Sequence, residues 1–172
     1  MLTIISFSCE SKDNITVYQI KKTSPHKANE TISELKWTPP KNWIEKVPGE
    51  MRLASFDAFD SNNKTADVSI TIFPGNVGGI ENNVNRWRQQ IELPAQSLEN
   101  ILTEAEQRTF PLLGDALIFM LNNKKNSKGI IAVMIPNQKN QTIFVKMIGN
   151  SNSIIELKYE FDLFCQSIYW NN

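Results

Sequence analysis

The chain has 172 residues, 18 basic and 18 acidic side chains, a formal net charge of zero, and 41% hydrophobic against 21% charged residues. These values fit one globular domain with a tail, and the balanced, interspersed charge offers no basic field for nucleic acid, so none is expected as a partner. One histidine, His26, and two cysteines, Cys9 and Cys165, leave no material for a four-ligand zinc site, a disulfide framework or a Ser–His or Cys–His pair in the folded part, and no metal or cofactor is expected.

The chain opens MLTIISFSCESKDN. An apolar run over residues 2–7, small Ser8, Cys9 and a polar stretch together resemble the end of a bacterial lipoprotein signal peptide of the Bacteroidetes type. The resemblance implies lipidation at Cys9 and a lipid-anchored place in the bacterial cell envelope, periplasmic or outer-membrane. It departs from the pattern in lacking a basic leading segment and in an apolar run shorter than the usual ~7–15 residues. The alternative is a first strand over 2–7 with Cys9 an incidental thiol. Residues 10–36 are rich in Lys, Ser, Thr, Asn and Glu and read as a polar tether, or, around VYQI, as an added strand at 15–20. No stretch approaches the ~20 apolar residues of a membrane-spanning helix.

The folded domain is expected over 37–172. WTPPKNWIEKVPGE opens it, where Pro39, Pro40 and Pro48 forbid helix and central strand while Trp37 and Trp43 pin the segment to a core. Residues 51–59 and 66–73 read as strands; Val68, Ile70 and Ile72 alternate with Asp67, Ser69 and Thr71, and the short SNNKT turn makes the two an antiparallel hairpin. From Ile80 the period changes: Ile80, Val84, Trp87 and Ile91 mark one face of an amphipathic helix. PAQSLENILTEAEQ predicts a second helix with Leu98, Ile101 and Leu102 inward. Three nearly continuous apolar runs, 115–121, 129–135 and 141–148, predict strands covered on both faces. SIIELKYEFDLFCQSI predicts a terminal helix with Ile154, Leu157, Phe161, Phe164, Cys165 and Ile168 in one buried stripe, Cys165 being a small hydrophobe there. The order β-β-α-α-β-β-β-α predicts an α+β fold: a five- or six-stranded, mainly antiparallel sheet sandwiched by helices.

MRLASF, VSITIFPGNVGG, NVNRWRQQI and IFVKMIGN, followed by a terminal helix, resemble in order and spacing an uncharacterised family of bacterial exported proteins and lipoproteins, over about residues 37 to 170. The resemblance implies no known reaction. It implies a layout similar to the PsbP-like α/β/α sandwich, whose members act mostly as binding or assembly factors.

PGNVGG precedes a helix, and helix N-termini bind anions. The loop nevertheless lacks the Lys-Ser/Thr of a phosphate-binding loop, and Glu81 places negative charge at the helix start. Gly75, Gly78 and Gly79 are better read as supplying unusual backbone angles. On the helix, Asn83, Arg86 and Gln90 form a polar stripe suited to a carboxylate, peptide backbone or sugar; the alternative is that Asn83 and Arg86 hold the preceding loop in shape. Asp57, Asp60, Asp115 and Glu156 show no spacing that joins two as an acid–base dyad. Tyr159, Leu163 and Trp170 are expected as an exposed stripe for a partner, or as a face covered by the N-terminal segment. These readings point to a non-catalytic envelope binding or assembly module, its partner an envelope protein or small ligand. The alternatives are a hydrolase-like envelope enzyme using carboxylates and Arg86, or a structural subunit of an envelope complex.

Overall fold

The computed structural model describes residues 34–137 and 140–171. The candidate lipidation site Cys9, the strand alternatives at 2–7 and 15–20, and His26 lie outside them.

The described residues form nine strands and four helices, in chain order β1 (Glu34–Lys36), β2 (Ile44–Lys46), β3 (Ala54–Phe59), β4 (Thr65–Pro74), α1 (Gly79–Gln90), α2 (Leu98–Glu104), β5 (Glu106–Phe110), β6 (Gly114–Asn123), β7 (Lys128–Asn137), β8 (Gln141–Asn150), α3 (Ser151–Glu156), α4 (Lys158–Gln166) and β9 (Tyr169–Asn171). Seven form one sheet in the order β2-β3-β4-β8-β7-β6-β5, and β1 pairs with β9 in a separate ribbon. Every pairing is antiparallel. The class expected from the sequence holds: α+β, with an antiparallel sheet between helical layers.

Several details of the sequence-based expectation need correction. The sheet has seven strands, not five or six. The second helix is confined to Leu98–Glu104, and Glu106–Phe110 leaves it to pair with β6 as the edge strand β5. Only Ile101 of that helix is buried; Leu98 and Leu102 are exposed. Residues 34–36, placed in the polar tether, are a strand.

The apolar stripes determine the layering. Ile154, Leu157, Phe161, Phe164, Cys165 and Ile168 are all buried, as their helical spacing predicts, against Phe56, Val68, Ile70, Ile131, Val133 and Val145 of one sheet face. The segment is not one rod, since Leu157 joins two shorter helices. Backbone hydrogen bonds from Leu157 to Ser153 and from Phe161 to Leu157 keep the stripe in phase across the joint. Trp43 seals this layer: its ring lies 5.0 Å from Phe164 and 6.1 Å from Phe56, and its Nε1 donates to Glu160 at 3.0 Å, so the indole is buried with its one donor satisfied.

Val84, Trp87, Ile91 and Ile101 cover the opposite face through Phe119, Leu121, Ile130, Ala132, Met134 and Phe144. These partners come from β6, β7 and β8. The helices thus cover half of this face, and the half made by β2, β3 and β4 carries polar residues instead.

Candidate functional site

The segment between β4 and α1 is built by its glycines. Gly75, Gly78 and Gly79 have φ of 64°, 78° and 63°, the left-handed region that glycine enters without steric cost. The turn is then tied down on both sides. The Gly75 N–H donates to the Asn140 carbonyl, and the Thr142 hydroxyl donates to the Gly75 carbonyl at 2.8 Å. Asn83, buried one turn into α1, donates from Nδ2 to the carbonyls of Val77 at 2.8 Å and Gly79 at 2.7 Å, and its Oδ1 accepts from Arg86 Nη2 at 2.5 Å. Asn83 is thereby committed to loop carbonyls that would otherwise lack partners.

The other polar side chains of α1 divide by direction. Asn85 exchanges two hydrogen bonds of 2.9 Å with the Gln96 backbone, and Arg88 Nε donates to the Pro94 carbonyl at 2.7 Å, so both fix the turn after the helix. Gln90 accepts from Lys146 Nζ at 3.0 Å. This bond sets Gln90 beside the half of the α1-side sheet face that no described helix covers, the open half.

The turn also walls a cavity of about 590 Å³. Gly75, Asn76 and Ile80 form one side; Gln107, Thr109 and Asp115 of the β5–β6 hairpin form the other; Leu117, Met134, Pro136 and Thr142 lie on the sheet between them. Cavities of roughly 300–1,000 Å³ with apolar walls and a few placed polar groups are the usual form of small-molecule sites. The polar groups here are amides, hydroxyls and one carboxylate. Asp115 Oδ1 accepts from the Thr109 hydroxyl at 2.6 Å, and Asn137 Nδ2 donates to Gln141 Oε1 at 3.2 Å. Arg108 borders the cavity, but its guanidinium is drawn to Glu106 and to Asp162 of α4. The glycine-rich loop was legible as a feature of the sequence; its cavity was not, because the lining comes from segments up to 67 residues apart, such as Gly75 and Thr142.

On the open half-face, two carboxylates come together that no linear spacing joined. Asp57 lies directly opposite Asp67 across β3 and β4. Lys46 Nζ bridges them, at 2.5 Å from Asp57 and 3.0 Å from Asp67, and Arg52 grips both oxygens of Asp67 at 3.1 and 3.0 Å. Burial pushes the Asp67 carboxyl up, but the Arg52 and Lys46 hydrogen bonds and charges outweigh it and hold the group below the usual carboxylate range. A general acid at neutral pH needs the opposite shift, so Asp67 serves here as the carboxylate of a salt-bridge network with Lys46 and Arg52. Asp60 and Glu156 serve the β3–β4 turn: Asp60 accepts from the Ser153 hydroxyl at 2.6 Å, and Glu156 accepts from the Ser61 N–H at 2.6 Å.

Beyond these regions, Tyr159 and Leu163 of α4 are 73% and 45% exposed. Trp170 does not share their helix. It sits on β9 opposite Leu35, half-buried against the core. Among the described residues no group of three or more His, Cys, Asp or Glu is arranged to hold a metal, and no helix is long and apolar enough to cross a membrane.

No protein-family model and no curated protein matches the sequence. Solved structures do. LpqN, involved in cell envelope biogenesis of Mycobacterium tuberculosis, is similar with a TM-score of 0.50 and 9% identity over 84% of this chain and 88% of its own. Cyanobacterial PsbP (CyanoP) from Synechocystis sp. PCC 6803 matches at 0.46 and 15%, over 84% and 96%. A protein of Bacteroides thetaiotaomicron VPI-5482 matches at 0.46 and 15%, over 80% of this chain, which spans 45% of that longer one. At these identities the likeness to LpqN shows a shared fold.

Proposed function

We propose that this chain is a non-catalytic binding module of the bacterial cell envelope that takes a neutral, largely apolar small ligand in the cavity beside the 75–80 turn. The cavity carries the reading. Its size suits a small molecule, its walls are mainly apolar, and its single lining carboxylate among the described residues, Asp115, is hydrogen-bonded to Thr109 with no described histidine, cysteine or second carboxylate beside it. The envelope location is supported by the lipoprotein-like start, by the resemblance of residues 37 to 170 to exported proteins, and by the fold shared with an envelope-biogenesis protein. Anchoring is by an acyl chain on Cys9.

The test uses N-phenyl-1-naphthylamine, a neutral apolar fluorophore. Wild type is expected to bind it saturably, and Leu117→Trp, which fills the cavity, to lose binding at unchanged circular dichroism. Equal binding by both proteins would place the fluorophore elsewhere and remove the reading. Anchoring is tested separately by labelling cells with a palmitate analogue, where Cys9→Ala is expected to abolish incorporation; unchanged labelling rejects it.

A second reading is an assembly contact. It is supported by the exposure of Ile155, Tyr159 and Leu163, spaced at helical intervals along the outer side of α3 and α4.

A further inference from the structure

The open half-face holds more positive charge than its carboxylates absorb. Both oxygens of Asp67 are taken by Arg52, with Lys46 on one of them, and Asp57 is taken by Lys46. Two further cations have no such partner: among the described residues neither Arg86 nor Lys146 forms an ion pair. Lys146 stands in the middle of β8, directly opposite the buried Ser69. Its ammonium reaches Gln90 at 3.0 Å, and Arg86 lies one helical turn from Gln90 on the same flank.

A half-buried ammonium held by one neutral amide, with guanidinium groups nearby, is a costly arrangement unless something negative completes it. Burial pushes the Lys146 amine down; Arg52 adds to this, Asp67 opposes it, and Arg86 adds again. Arg86 is exposed and spends one nitrogen on Asn83, which leaves donors of its planar fork for an incoming group.

We propose that Arg86 and Lys146, the latter held by Gln90 of the same helix flank, form a binding site for a small oxyanion: a phosphate or carboxylate group carried by a ligand. Arg86 supplies a directional fork, Lys146 a point charge at the sheet surface, and the Ser69 and Thr71 positions of β4 a polar floor. The site shares no lining residue with the cavity, so it stands apart from the small-ligand reading.

The experiment titrates the full-length protein with inorganic phosphate and, separately, with glucuronate, at ionic strength matched by sodium chloride. Binding is followed by amide chemical shifts of α1 and β8 and by thermal denaturation. Saturable shifts at these positions and a rise in midpoint are expected with at least one anion, and the tighter anion names the source: a phosphoester or an acidic glycan. Arg86→Gln and Lys146→Gln should each weaken binding at least tenfold. Arg86 is exposed, so its variant keeps the fold and the test decisive, while Leu117→Trp should leave anion binding unchanged. Equal responses of wild type and both charge variants, or no response beyond the chloride control, overturn the proposal.

Discussion

Asp57 and Asp67 face each other across the β3–β4 pair with Lys46 between them. Like charges directly opposite in a sheet are unfavourable, and the arrangement persists because Lys46 and Arg52 neutralise it. Replacing Asp67 with Asn should lower stability at neutral pH by about 1 kcal/mol, near the surface end of the range because solvent still reaches the pair. The pH dependence follows from the direction of the shift. Asp67 is held below the carboxylate value of about 3.9 expected unfolded. Its contribution is therefore fully present above that value and lost as pH falls through the lower folded one. Urea denaturation of both proteins at pH 7 and in acid should show the difference shrinking in acid; a pH-independent difference contradicts the network.

The 75–80 turn rests on a glycine at its helix cap. Gly78 has φ of 78°, and a Cβ there would lie 3.4 Å from Asn83 Nδ2 and 3.6 Å from Arg86 Nη2. Gly78→Ala should cost about 1–2 kcal/mol from the left-handed backbone. It should also weaken fluorophore binding by moving the cavity wall. Denaturation curves and the fluorophore titration check the two effects separately.

Cys165 is fully buried, and burial, with Asp162 adding to it, pushes its thiol up. The thiolate is the reactive species. In a Cys9→Ala background, a thiol-reactive chromogen should therefore label Cys165 only as the protein unfolds, with the labelling midpoint tracking urea denaturation. Fast labelling of the native protein would contradict its place in the core.

Tyr159 makes a clean surface test. At 73% exposure its replacement by Ala should change stability by no more than ~0.5 kcal/mol. If the outer side of α4 is an assembly contact, Tyr159→Ala and Leu163→Ala should reduce co-purification of an envelope partner from the native host. Undiminished recovery with both variants removes that reading.

Much of the architecture was legible because the apolar residues repeat with the right period. The stripe from Ile154 to Ile168 and the alternation from Val68 to Ile72 locate a helical segment and a strand whatever surrounds them. Residues 106–110 were not legible: EQRTF has neither a clear period nor strand-forming composition, and it is a strand because β6 offers it an edge. The Asp57–Asp67 pair depends on the register of a hairpin with a five-residue turn. That register follows only once the strand ends are known. Lys146 could have been noticed as a lone cation inside the apolar run QTIFVKMI, yet its surroundings are set by α1 and by the distant β3–β4 hairpin. The loop-holding role of Asn83 was visible as an alternative; the cavity beside it, assembled from four separate segments, was not.

The strand order has a consequence for how copies of the protein behave when crowded. Among the described residues the sheet is open, and its two end strands are β2 and β5. β2 is three residues long and lies between Pro40 and Pro48, while β5 carries Glu106 and Arg108 along its five residues. Short length, flanking proline and charge make a poor template for the backbone of another chain. The long apolar strands β7 and β8, which would be dangerous at an edge, sit deep in the order with neighbours on both sides. The fold thus disfavours edge-to-edge aggregation by placing its most sticky sequence at the centre of the sheet.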